Sequence, residues 1–139
     1  MCVILDTNCI GKFNKGIDED IIPVKHWVYN RNGKIVYANT EKFREEWKGS
    51  RGYELRRELL RRNKLKDVPA EDVIEKENEL KGKIVSDDEH VIALALVARV
   101  KVLVSDDEKL IRDFKNHIVQ GKVYKTKKHT HLLKKDTCP

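Results

Sequence analysis

Val102-Leu103-Val104-Ser105-Asp106-Asp107-Glu108 is the segment on which the fold turns. Three apolar, mostly β-branched residues that stop at a Ser-Asp-Asp-Glu read as a short buried strand whose C-terminal end delivers Asp106 and Asp107. The tetrapeptide recurs as Ser86-Asp87-Asp88-Glu89, again leading into an apolar stretch. Ser-x-x-Glu ahead of an apolar run is also a helix capping box, in which the serine accepts a backbone hydrogen bond and the glutamate reaches back. Aspartates in a first helical turn favour the positive end of the helix dipole as well. Capping accounts for each copy locally, but not for the strand before Ser105, nor for Val3-Ile4-Leu5 ending at Asp6 in the same strand-then-acid form. In a parallel sheet such strand ends share one rim, where open α/β folds bind their ligands. Capping combined with metal binding is therefore the expectation.

Working outward, strand and helix signals alternate. Gly11, Gly16 and Asp18-Glu19-Asp20 mark a loop, and Pro23 bars a long helix there. His26-Trp27-Val28-Tyr29 fits a short helix leading to the Asn30-Arg31-Asn32-Gly33 turn, and Lys34-Ile35-Val36-Tyr37-Ala38 a second strand. Thr40 is placed to cap a helix through Trp47, broken by Gly49 and Gly52. Tyr53, Leu55, Leu59 and Leu60 give the next helix an apolar face opposite a basic one. Pro69 suits the first turn of a helix to about Leu80, ended by Gly82. Val91 to Val100 is the most apolar helix, and Asp107 to about His117 carries Leu110, Ile111 and Phe114 on its inner side. Val119 to Lys125 reads as a final strand, and the tail from Lys127 shows no pattern. The expected fold class is α/β, a central parallel sheet flanked by helices as three α/β/α layers, in a single domain over residues 1–139.

Composition narrows the function. With 139 residues the chain can bury a core of its own. No apolar run approaches bilayer length and no leader-like segment stands at the start, so the expectation is a cytoplasmic protein without membrane association. Cys2, Cys9 and Cys138 lack CxxC spacing and read as reduced thiols. His129 and His131 form the one close histidine pair, without the further Cys or His that a zinc site needs. A net charge of +6 around an acidic centre suits a polyanion held by basic residues and cut at a metal. Those residues form two groups, Arg51, Arg56, Arg57, Arg61, Arg62, Lys64 and Lys66, and Lys122, Lys125, Lys127, Lys128, Lys134 and Lys135. Each group taken alone also reads as a solvated face or tail.

A further carboxylate comes from Phe43-Arg44-Glu45-Glu46-Trp47, where Phe43 and Trp47 at i and i+4 anchor one face and leave Glu46, or alternatively Glu45, near the rim. The ordered set Leu5-Asp6-Thr7-Asn8, an early-helix Glu, Ser86-Asp87-Asp88-Glu89-His90-Val91-Ile92-Ala93-Leu94-Ala95 and Leu103-Val104-Ser105-Asp106-Asp107 resembles the PIN-domain nucleases over nearly the whole chain. The resemblance implies Asp6, Glu46, Asp88 and Asp107 as catalytic acids, with Asp6, Asp88 and Asp107 as metal ligands. Asn8 and Ser105 take supporting positions, and Asp87 and Asp106 are neighbours that could exchange roles with Asp88 and Asp107. The Gly11–Tyr37 segment is longer than in small toxin-like members, which bears most on Glu46.

The chemistry agrees with the resemblance. Mg²⁺ or Mn²⁺ favours hard oxygen ligands, lowers the pKa of a bound water and stabilises charge on a phosphate, so no nucleophilic side chain is needed. The resemblance implies an endoribonuclease acting on RNA, with DNA the second substrate, in the role of a VapC-type toxin held by an antitoxin or of a processing or defence nuclease, and it implies dimers. The alternative is a nucleic-acid-binding or scaffold protein that keeps the fold without cleavage. A haloacid-dehalogenase-type phosphotransferase would need an aspartate where Asn8 stands, and a receiver domain a phosphoacceptor on a middle strand.

Overall fold

The structure is a computed structural model describing residues 2–133. Lys134 and Lys135 of the second basic group, and Cys138, lie outside the described residues. The chain runs β1 (Cys2–Leu5), a 3-10 turn (Thr7–Cys9), α1 (Ile10–Lys15), α2 (Ile22–Asn30), β2 (Lys34–Ala38) and α3 (Glu41–Glu46). A 3-10 turn (Gly49–Arg51), α4 (Gly52–Arg61), β3 (Leu65–Val68), α5 (Ala70–Leu80) and α6 (Glu89–Ala98) follow. The last elements are β4 (Val102–Val104), α7 (Glu108–His117), β5 (Lys122–Tyr124) and a 3-10 turn (Lys127–Leu132).

The five strands form one all-parallel sheet in the order β3-β2-β1-β4-β5. β1, β2 and β4 are buried on both faces at almost every position, the signature of a sheet covered by helices. The chain first winds outward from β1 through β2 to β3, then returns to place β4 on the other side of β1. Right-handed crossovers then require the helices of the two halves to lie on opposite faces. α1, α2 and α4 accordingly pack together, as do α5, α6 and α7, giving the three-layer α/β/α arrangement. One apolar core runs through it, from Val3 and Leu5 in the sheet to Phe13, Leu59, Leu94 and Phe114 in the helices.

Several local expectations are corrected. The Gly11–Asp20 stretch is not all loop: α1 occupies Ile10–Lys15, burying Ile10 and Phe13, and ends at Gly16 with φ 65°. Pro23 sits at the start of α2, where its missing N–H costs nothing. Leu65–Val68 is an edge strand that the sequence hid, because charged Lys66 and Asp67 interrupt its apolar residues. Pro69 precedes α5 rather than starting it. In α4, Leu55 and Leu59 are buried while Tyr53 and Leu60 are exposed. β5 is shorter than expected, since Val119 stands exposed in the turn before it. Cys2 is disulfide-bonded rather than a free thiol, whereas Cys9 is free and buried. No described helix is long and apolar enough to cross a membrane.

Candidate metal centre

β1 and β4 are neighbours at the point where the strand order reverses, so their C-terminal ends border the crevice in which such sheets bind ligands. Asp6 leaves β1 there, its backbone N–H bonded to the Val104 carbonyl at 2.9 Å. Its side chain is buried and accepts a hydrogen bond from Ser105 Oγ at 2.6 Å. The same Ser105 oxygen accepts the backbone N–H of Asp107 at 3.0 Å. One serine thus ties the ends of two strands together, a role different from helix capping. Asp107 itself caps α7, its Oδ1 accepting the N–H groups of Lys109 and Leu110 at 3.0 and 3.3 Å.

The second tetrapeptide behaves differently. Asp88, not Ser86, stands at the head of α6, and Ser86 Oγ accepts the Asp88 N–H at 3.4 Å. Neither copy therefore makes the serine-led capping box. Asp87 is exposed, with its carbonyl taking a hydrogen bond from Lys42 Nζ at 3.3 Å, while Asp88 is half-buried. Asp106 is likewise exposed and pairs with Lys12 Nζ at 3.4 Å, while Asp107 is half-buried. In α3, Glu45 points outward to Lys48. Glu46 points inward to His90, with Oε1 at 2.5 Å from Nε2.

These acids feel one another's charge. Burial raises the Asp6 pKa above the usual carboxylate value; Ser105 and the Asn8 backbone lower it, and the charges of Asp107 and Glu46 raise it again. The Asn8 amide exerts this pull without a formal cap hydrogen bond, and its side chain is exposed. Burial pushes Asp88 up to about 6, helped by Asp6, Glu46 and Asp107 and opposed by His90. Burial leads in both cases, and the neighbouring like charges add to it. Cys9, close enough to feel Asp6 and Asp106, has its thiol pushed up to about 12, first by burial, and is no nucleophile.

Two residues escaped the sequence reading. His90 is fully buried at the head of α6, its ring 4.8 Å from that of Phe43 in an edge contact. Among the described residues, Glu46, Asp88 and His90 form the one grouping of three His, Cys, Asp or Glu side chains whose ligand atoms lie within 4.8 Å of one another. The signal was a histidine inside the most apolar helix. Asp113 is buried on α7 and accepts the N–H groups of Val85 and Ser86 at 2.9 and 2.7 Å, fixing the approach to α6. Its signal was an acid between Leu110 and Phe114 on the inner stripe of the helix. His129 spends Nδ1 on the backbone N–H groups of Lys125 and Thr126, a capping role.

The basic groups are largely turned to internal use. Arg61 and Arg62 pair with Glu58, Arg51 with Glu54, Lys125 with Glu108 and Lys127 with Glu19. Arg56 lies over the Tyr37 ring and Arg62 over Tyr29. Arg61, Arg62 and Lys64 also stand where α4 returns to the start of β3, at the rim opposite the acids. No family model, no curated protein and no solved structure matches the chain, so the PIN resemblance rests on its residues alone.

Proposed function

We propose that the chain is a metal-dependent nuclease that hydrolyses RNA phosphodiester bonds at a centre formed by Asp6, Glu46, Asp88 and Asp107. The observation that supports the reading is that Asp6 and Asp107, joined through Ser105 at the ends of β1 and β4, and the close pair Glu46 and Asp88 act on one another electrostatically beside the reversal point of the sheet, although only Glu46 and Asp88 of the four lie in the tight grouping with His90. Carboxylates that repel one another, with a single buried histidine beside two of them, fit a hard divalent cation. Asp6, Asp88 and Asp107 would hold Mg²⁺ or Mn²⁺, which when bound supplies polarisation of water and charge stabilisation on the phosphate.

The rest of the chemistry falls to the chain. Ser105 fixes Asp6 and the start of the Asp107 segment in one geometry, so these acids are set before any ligand arrives. Glu46, less buried than Asp6, would accept a proton from attacking water. Lys12 and Lys42 contact Asp106 and the Asp87 carbonyl, the neighbours of two central acids, and would grip phosphates on either side of the cut. The choice of RNA over DNA comes from the PIN resemblance.

The test is incubation of the purified chain with end-labelled single-stranded RNA and matched DNA in Mg²⁺, Mn²⁺ or EDTA. The reading requires RNA to be cut in metal and spared in EDTA. RNA left intact in every metal, with binding retained, would instead support a non-cleaving nucleic-acid-binding protein.

A further inference from the structure

We propose that His90 is the positioning residue of this centre: its Nε2–H holds the Glu46 carboxylate toward the other acids, and the imidazole is not a metal ligand. Glu46 needs such a hold. It is the last residue of the six-residue α3, on a side chain 29% exposed, next to a Glu45 that turns outward. His90 belongs to a different helix, is 0% exposed and is braced by the Phe43 ring, so it offers a fixed point to a long and otherwise mobile side chain.

The tautomer follows from the other ring nitrogen. Nδ1 is buried and has no hydrogen-bond partner. A neutral imidazole carries one N–H and one bare lone pair. An N–H on Nε2 gives Glu46 its donor whether the ring carries one proton or two, and with one it leaves only a lone pair unpaired at Nδ1. Placing the sole proton on Nδ1 would set an acceptor against the carboxylate and bury an N–H without a partner, the costlier arrangement. Metal-bound histidines normally pass their second N–H to a carboxylate, carbonyl or water, and no such protein acceptor stands at Nδ1. Closeness to Glu46 and Asp88 therefore marks support of the centre rather than membership of it.

The activity arm rests on the nuclease reading; the spectroscopic arm does not. Long-range ¹H–¹⁵N spectra of the full chain, at mildly alkaline pH, should show His90 protonated at Nε2, and the resonance should stay outside the coordinated range when Cd²⁺ is added. An Nδ1–H tautomer, or an Nε2 that moves into the coordinated range with Cd²⁺, overturns the assignment whether or not the chain cuts RNA. In turnover, His90→Phe should lower kcat about tenfold or more with KM for RNA unchanged, as loss of an orienting partner does. His90→Gln, which returns an N–H near the Nε2 position, should recover most of that loss. Full kcat in His90→Phe, or no recovery in a folded His90→Gln, overturns the positioning role.

Discussion

Asp88 carries the clearest electrostatic consequence at the level of a single residue. Burial, and then the charges of Asp6, Glu46 and Asp107, lift its carboxyl from 3.8 to about 6 against the pull of His90. The unfolded chain keeps the ordinary value, so between those two pH values the folded state holds more protons than the unfolded one. Unfolding free energy then falls as pH rises. Metal-free protein should lose stability through this group from pH 3.8 to about 6, with the cost complete above that window. Asp88→Asn should remove that part of the decline, and thermal melts in EDTA across the window would show it. Parallel wild-type and variant curves would contradict the raised Asp88 pKa. The doubled aspartates in the two tetrapeptides show where sequence stops being informative. Periodicity cannot say which of two adjacent acids turns inward at a helix start; the exposed Asp87 and Asp106 and the half-buried Asp88 and Asp107 are separated only by the path of the loop.

Individual elements explain why some of the architecture was legible and some was not. β2 and β4 could be read from short apolar runs rich in β-branched residues, and α3 from Thr40, whose Oγ1 does accept the Phe43 N–H at 3.2 Å. α1 was hidden by Gly11 and Gly16, and β3 by its charges, because tertiary packing supplied what local propensity withheld. The joint between α7 and α6 was hidden for a similar reason. Asp113 sits on the inner stripe of α7, but only the fold shows that it holds the Val85–Ser86 backbone. Burial alone would raise its pKa, but hydrogen bonds from Ser86 and the Val85 and Ser86 backbone outweigh that and lower it. Asp113→Ala would leave two backbone donors without their charged acceptor, a loss of about 3 kcal/mol in unfolding free energy at neutral pH by denaturant titration. Because its folded pKa is depressed, the contribution is present above the unfolded value and is lost as pH falls through the folded one. A loss below about 0.5 kcal/mol would mean that the loop before α6 is held by other contacts.

Across the whole molecule, charge is arranged differently from what a count of +6 suggests. Much of the basic surface is paired within the chain or stands at the rim opposite the acids, while Lys12 and Lys42 contact Asp106 and the Asp87 carbonyl, next to two of the central acids. Single-stranded RNA binding by a cleavage-defective Asp107→Asn chain should therefore depend on salt in a way these two residues control. Each of Lys12→Ala and Lys42→Ala should reduce the slope of log affinity against log salt by about 0.7, read by fluorescence anisotropy. Unchanged slopes would move the substrate path elsewhere. The sheet order explains why chain-distant residues such as Asp6 and Ser105 meet at all: β1 and β4 become neighbours only after the chain has built β2 and β3 on the other side. That Asp6, Asp88 and Asp107 then hold one cation is the central claim, and calorimetric titration of Mn²⁺ into the full chain and its single Asn variants tests it most directly. Asp6→Asn, Asp88→Asn and Asp107→Asn should each weaken binding by about tenfold or more, about 1.4 kcal/mol, while Asp87→Asn and Asp106→Asn stay close to wild type. Equal Mn²⁺ affinity in all five variants would contradict the centre.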